Sequence, residues 1–305
     1  MHPAISVIFF TVTSGAGFGF LALIGLGVPL PADGIGAFVA AVIAGGLCVA
    51  GLVSSTFHLG HPERAWRAFS QWRSSWLSRE GVCAVFTLIL FGLYALNWVF
   101  FGERNYLLGL LVTLGSLATV FTTAMIYAQL KTVPSWNTLL TPVCYMLFAL
   151  GSGVLLAASF GFWQSSGGMT VKFIALFAIA IAWSAKFLWW QAATGNTLEG
   201  RGSTPETATG LGSIGKVRLL EKPHSGENYL TKEMVHQVGR KHAAKLRTLA
   251  VLFGAGVPIL LCLLIFVSGM PSYVLALAFI SWMLGLFAER WLFFAEAKHA
   301  VSLYY

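Results

Sequence analysis

Charge is scarce in this sequence. Of its 305 residues, 10% are Asp, Glu, Lys or Arg and 57% are apolar, with a mean hydropathy of +0.77. Soluble domains carry roughly 25% charged residues, so the composition excludes an ordinary soluble enzyme and reads as a membrane protein. Cysteine is scarce too. Cys48, Cys83, Cys144 and Cys262 stand singly within apolar runs, with no Cys-x-x-Cys pair. That excludes a disulfide frame and a cysteine-ligated zinc or iron–sulfur site, and the four read as packing residues. An inverted repeat with broken helices, the mark of many transporters, is missing. So is the strand-to-helix setting a nucleotide fingerprint needs. The glycines at Gly15, Gly17, Gly19, Gly45, Gly46, Gly51, Gly151 and Gly153 therefore read as close helix contacts. The first apolar run follows Met1-His2-Pro3 without a basic n-region or a credible cleavage site, so a retained span is expected rather than a removable signal peptide.

What the chain does have is eight apolar runs, near 4–28, 36–58, 81–101, 106–130, 139–162, 169–190, 247–269 and 272–294. A helix of about 20 residues, at ~1.5 Å each, covers the ~30 Å of bilayer hydrocarbon. The expected fold is all-α: one polytopic bundle of eight transmembrane helices over 1–305, with short connections except at 59–80 and 191–246. Arg64, Arg67, Arg73, Arg79, Lys131, Lys298 and the basic residues between Arg201 and Arg247 fall on one side, against Arg104 and Lys172 on the other. The positive-inside rule makes the basic side, both larger loops and both termini cytoplasmic, in a bacterial inner membrane. The net charge of +8 then answers lipid headgroups and partner subunits rather than nucleic acid. Loop 59–80 interleaves Trp66, Trp72 and Trp76 with four arginines, a composition suited to an interfacial segment. In loop 191–246, the Gly/Thr-rich stretch from Thr194 to Gly210 is expected to be irregular, and Thr231 to Arg247 to form a basic helix entering the seventh span. So long a loop reads as a partner-binding surface.

Ionisable groups at membrane depth are costly and mark function by default. His58 closes the second run in His58-Leu-Gly-His-Pro-Glu-Arg64. Its imidazole can exchange a proton near neutral pH, or it can simply anchor the helix end. Arg64 could hold a carbonyl or a lipid phosphate, whereas Arg67 reads as a headgroup contact. Glu80, at the entrance to the third span, could relay a proton between His58 and water or cap the helix start. Lys186 is expected to snorkel toward the inner end of its span, with Glu289 and Glu296 at or beyond the end of theirs. That leaves no charged pair clearly at mid-depth.

These residues carry a resemblance. His58-Leu-Gly-His-Pro-Glu-Arg-Ala-Trp66, Leu77-Ser-Arg-Glu80, Thr132-Val-Pro-Ser-Trp136 with Thr141-Pro142, and Ala288-Glu289-Arg290 resemble the membrane anchor subunit of the dimethyl sulfoxide reductase family. The resemblance implies an anchor for a molybdopterin catalytic subunit and an iron–sulfur subunit, with molybdopterin and clusters in those partners only. It further implies electron exchange with a quinone, ubiquinone or menaquinone. It places His58 and Glu80 at the quinone site, with Arg64, Trp66 and Ser78 as neighbours in the same motifs. Tyr127 and Trp136, flanking the turn between spans four and five, read first as interfacial belt aromatics and second as walls of a quinone slot. The motif loops here are the cytoplasmic ones. That orientation, the opening Met1-His-Pro-Ala-Ile-Ser-Val-Ile-Phe-Phe10 and the insertion Leu219-Leu-Glu-Lys-Pro-His-Ser-Gly-Glu-Asn-Tyr229 are similar to anchors of a cytoplasmic, sulfite-oxidising branch. Alternatives are an anchor of the dimethyl sulfoxide reductase type that oxidises quinol, a haem-bearing anchor, and a stand-alone transporter. Haem is not expected, because all seven histidines fall at span ends or in loops.

Overall fold

The computed structural model describes residues 4–28, 34–160, 168–221, 226, 242–268 and 274–303. The side chains of His58 and of residues 168–172, 266 and 268 lie outside that description. The described chain is α-helical, and eight helices are long and apolar enough to cross a membrane. They are α1 (Ile5–Gly25), α2 (Gly34–Ser54), α3 (Trp76–Phe101), α4 (Tyr106–Ala128), α5 (Leu140–Ser159), α6 (Gly168–Gly195), α7 and α8 (Val274–Ala295). Helix α7 has three parts, Ala243–Val251, a π-helical turn Leu252–Gly256 and Val257–Ser268. All eight expected spans are present. In hydrocarbon every backbone polar group must be satisfied within the segment, which leaves the helix as the form these runs can take.

Helix α1 is the hub, packed on α2, α4, α5 and α8. Small residues let it approach. A Cβ on Gly19 would strike the Ala149 carbonyl of α5, and one on Gly153 would strike the backbone of Gly19, so α1 and α5 touch backbone to backbone. A Cβ on Gly17 would meet Cys48 of α2. Cys48, Cys144 and Cys262 are buried, which fits the packing role expected of them.

Helix α3 starts at Trp76, five residues before the expected 81, because Ser75 caps it by accepting from the Ser78 backbone N–H at 3.5 Å. Ser78 and Glu80 are therefore inside the helix, and Glu80 is not its cap. Helix α7 holds a feature no hydrophobic pattern announces. Pro258 has no N–H to offer the carbonyls four and five residues back, those of Gly254 and Phe253. Trp183 Nε1 of α6 donates to Gly254 O at 2.8 Å, and Ser281 Oγ of α8 donates to Phe253 O at 2.8 Å. The two orphaned acceptors are thus served by neighbouring helices, at the place where Gly254 and Gly285 let α7 and α8 meet.

Between α2 and α3 lie the 3₁₀ turns Ser55–His58 and Pro62–Phe69, the second without a buried residue. Arg79 ties this loop to α3, donating from Nε to Trp72 O at 3.0 Å and from Nη2 to Arg73 O at 2.7 Å. The first half of the long loop is less irregular than expected. It contains a 3₁₀ turn Glu199–Arg201 and a short helix Pro205–Thr209 closed by a Thr204/Thr207 capping box. Arg201 holds it in place by donating to Asn196 Oδ1 and Asn137 Oδ1, both at 2.7 Å, and to Asn137 O at 2.9 Å. These short polar bonds supply order that composition cannot show. Of the expected basic helix, residues 231–241 lie outside the described residues, and a helix begins at Ala243.

Candidate functional site

The polar groups gather at one end of the bundle, the end that carries loop 59–75. Successive spans alternate in direction, so this end holds the starts of α3 and α5 and the ends of α4, α6 and α8. The backbone of His58 ends the Ser55–His58 turn there, and its imidazole lies outside the described residues. Arg64 and Trp66 are on the exposed 3₁₀ turn. Trp66 is 66% accessible, Arg64 Nε is 3.7 Å from Glu63 Oε1, and Arg67 sits 5.7 Å from the Trp66 ring centre. In this chain by itself neither lines an internal slot. They form an outward face of arginine and indole, and Trp72 with Arg73 continues it.

Glu80 points the other way. It lies about 6 Å along α3 from the helix start, at ~1.5 Å per residue, and is 4% exposed. Thr123 of α4 donates to its Oε1 at 2.7 Å. Ser78, on the same first turns, is buried as well. A carboxyl held inside a bundle by a single hydroxyl, one turn from the helix end, is a group that can bind and release a proton.

Tyr127 and Trp136 are not interfacial belt residues: both are buried. Tyr127 stands one turn of α4 beyond Thr123. Its ring packs edge-on to Trp136 at 5.4 Å and stacks on Tyr145 at 5.9 Å, while Trp136 stacks on Phe293 of α8 at 5.0 Å. The indole N–H of Trp136 is spent on Phe293 O at 2.9 Å. Thr141 Oγ1 donates to Trp136 O at 2.7 Å and accepts from Trp189 Nε1 at 3.0 Å. The turn between α4 and α5 is therefore an aromatic plug bonded into the bundle. A belt residue would instead leave its polar edge in the headgroups.

Behind this plug is the feature that sequence reasoning missed. Lys186 does not snorkel: it is 1% exposed, and its Nζ is 2.5 Å from Glu289 Oε1. Glu289 is fully buried and also accepts from Arg290 Nε at 2.5 Å and Nη2 at 3.0 Å. The lysine cannot reach water because it starts nine residues, roughly 13 Å, inside the end of α6. Around it, the Trp189 ring centre is 3.6 Å from Nζ, a cation–π contact that offsets part of the lost hydration. Arg290 lies 4.2 Å from the Tyr145 ring centre and 4.7 Å from that of Phe293. Two cations thus share one carboxylate within the membrane-spanning bundle. The usable signal was the distance of Lys186 from its helix end, which setting the end of α6 at 190 rather than 195 concealed, and the position of Glu289 six residues inside the end of α8, which was set correctly to within one residue. Among the described residues no three His, Cys, Asp or Glu side chains converge as ligands for a metal ion.

Comparison with known proteins adds the family. Residues 1–295 match the family model described as DMSO reductase anchor subunit (DmsC). The chain is 34% identical over 326 residues to a sulfite dehydrogenase subunit of Allochromatium vinosum, covering 100% of this chain and 99% of that protein. No solved structure matches it.

Proposed function

This chain belongs to the DMSO reductase anchor subunit family, and from that premise we propose that it is the quinone-reactive membrane anchor of a three-subunit molybdenum oxidoreductase. In this reading it passes electrons between an iron–sulfur subunit and quinone in the bacterial inner membrane. The full-length likeness to a protein named as a sulfite dehydrogenase subunit supports sulfite as the electron donor. The molybdopterin catalytic subunit then oxidises it on the cytoplasmic side, where both termini also lie.

The observation that carries the reading is Glu80, a buried carboxyl held by Thr123 on the first turns of α3, the helix that follows the loop bearing His58 and the exposed Arg64–Trp66 face. Quinone, when bound, supplies a two-electron, two-proton couple. The chain has to provide donors to its carbonyls, a proton route and a contact for the electron-carrying subunit. His58 and Arg64 are the donors in the site motif, and Glu80 with Thr123 holds a proton at Oε1. Ser78 keeps the first turns of α3 packed inward, and Tyr127 and Trp136 close the inner wall. The exposed tryptophans and arginines of 59–75 and the Arg201-braced segment present the docking surface for the iron–sulfur subunit. Aromatic and arginine side chains are the ones enriched where proteins meet. Purification through a tag on this chain should bring down two further subunits and yield sulfite-dependent reduction of a soluble ubiquinone analogue. A complex that oxidises quinol with dimethyl sulfoxide but ignores sulfite would move the chain to the reductase branch. A chain that purifies alone and is inactive with either substrate would sink the anchor role.

A further inference from the structure

Between α1, α4, α5 and α8 lies a partly open cavity reached by Thr123, Tyr145 and Arg290, with Thr11, Ser14 and Ser152 on its other walls. The Tyr145 hydroxyl and Arg290 Nη1 are buried, in residues 6% and 4% exposed, and neither completes a full hydrogen bond; the side chain that bears on the Tyr145 hydroxyl is Arg290 itself. Leaving either donor unserved at this depth is costly. The other hydroxyls have spent their protons. Thr11 donates to Ile8 O at 3.1 Å, Ser14 to Phe10 O at 2.6 Å and Ser152 to Phe148 O at 2.8 Å. Ser152 Oγ already accepts from Trp282 Nε1 at 2.8 Å, while the oxygens of Thr11 and Ser14 can still accept.

The cavity therefore has two spare donors at one end and spare acceptors elsewhere, including Thr123 beside Glu80. A ligand that only accepts, such as a carbonyl, would serve the donors and leave the acceptors bare. Water serves both. Size agrees: the cavity leaves about 30 Å³ of room for water, which at ~10–15 Å³ per molecule holds about two waters.

We propose that Tyr145 and Arg290 bind water in this cavity, and that the water joins the Lys186–Glu289–Arg290 cluster to Glu80 through Thr123 as an internal proton relay. The relay role rests on the quinone reading above; the bound water does not. Charge gives the relay its purpose. The cluster carries two cations and one carboxylate, and Glu80 is the other buried carboxylate among the described residues. A proton arriving at or leaving Glu80 thus changes the net charge that the cluster faces across two waters and one hydroxyl. In two-electron quinone reduction two protons are consumed: Glu80 gives its proton toward the quinone and takes another through Thr123 from the cavity water, and the water recovers one from the cluster, where the Lys186 ammonium on Glu289 is the group able to release a proton, since an arginine does not. Tyr145 acts here as a positioning residue for water.

Two measurements on the intact complex test this. X-ray radiolytic labelling oxidises side chains that touch bound water even when they are buried. Tyr145 should label well above Phe20, which is fully buried and outside the cavity; a Tyr145 as inert as Phe20 means a dry cavity and overturns the proposal. Tyr145→Phe, which removes the hydroxyl alone, should lower kcat for sulfite-driven quinone reduction roughly 10-fold or more, less than the ~10²–10⁴-fold of a lost acid–base group because Tyr145 only positions the water. The KM for quinone and ferricyanide reduction should stay unchanged, and the solvent isotope effect should be enlarged. An unchanged kcat and isotope effect would overturn the relay, and so would a raised KM alone, which would make Tyr145 a wall of the quinone slot. If the native complex reduces no quinone, the functional reading falls and the relay role with it, while the labelling still decides the water.

Discussion

Replacing Glu289 by Gln should damage this protein far more than replacing Lys186 by Met, although both remove one member of the same buried cluster. Glu289 accepts from Lys186 Nζ and from two nitrogens of Arg290. Glu289→Gln leaves two buried cations facing an amide. Breaking a buried pair by removing one partner costs about 3–5 kcal/mol, because the remaining charge keeps its desolvation penalty without its counter-ion. Lys186→Met leaves the bidentate Arg290–Glu289 pair, which is neutral as a unit, and lays a flexible thioether on the Trp189 face that Nζ now occupies at 3.6 Å. Sulfur over an aromatic ring is favourable, so this change should cost less than about 2 kcal/mol, since an apolar replacement in a buried ionic cluster is often close to neutral. The double variant should be more stable than Glu289→Gln alone, because the second unpaired cation is gone and the two changes couple. Heating the detergent-solubilised chain with a thiol-reactive dye reads this directly. Cys48, Cys144 and Cys262 are buried and react only on unfolding, while Cys83 gives the background. Equal losses for the two single variants, or a double variant no better than Glu289→Gln, would refute the shared-carboxylate account.

Other expectations follow from single contacts. Trp183→Phe should destabilise by about 1–3 kcal/mol, the cost of a buried acceptor left unpaired, because Gly254 O loses its donor while the ring remains; the same dye assay checks it. Trp136→Phe should cost a similar amount through the freed Phe293 carbonyl and should lower retention of the partner subunits, read by pull-down. Gly19→Ala should cost more than either, since its Cβ would strike the Ala149 carbonyl; loss of the folded chain in size-exclusion chromatography is the expected result. Arg201→Ala should spare the bundle and expose the segment after Gly195 to protease, because its bonds to Asn137 and Asn196 are what brace that segment.

The eight spans could be read from apolar runs because membrane depth forces one backbone form on any run of that length. Sequence and structure part where the outcome rests on one atom. Ser75 moved the start of α3 and carried Glu80 from a capping position into the interior. Pro258 opened a π turn whose acceptors were met by Trp183 and Ser281, a pairing across 71 and 28 residues of sequence. Tyr127 and Trp136 looked like belt aromatics because span-end position is visible in sequence, whereas the partner of an indole N–H is not. The ionic cluster stayed hidden for a related reason. Ala288-Glu289-Arg290 stands out as a motif, but its cationic partner is about a hundred residues away on α6, and no periodicity ties Lys186 to it.

Electron transfer to quinone by the intact complex tests the central claim most directly. Sulfite serves as donor, a soluble ubiquinone analogue and ferricyanide serve as parallel acceptors, and the native chain is compared with Glu80→Gln and His58→Ala after assembly has been confirmed. Glu80→Gln keeps an oxygen for the Thr123 hydroxyl and loses the exchangeable proton. Quinone reduction should fall by roughly 100-fold or more, as for a lost acid–base group, with ferricyanide reduction intact in both variants. Undiminished quinone reduction in both would contradict the account, leaving Glu80 as packing and the quinone site elsewhere in the complex.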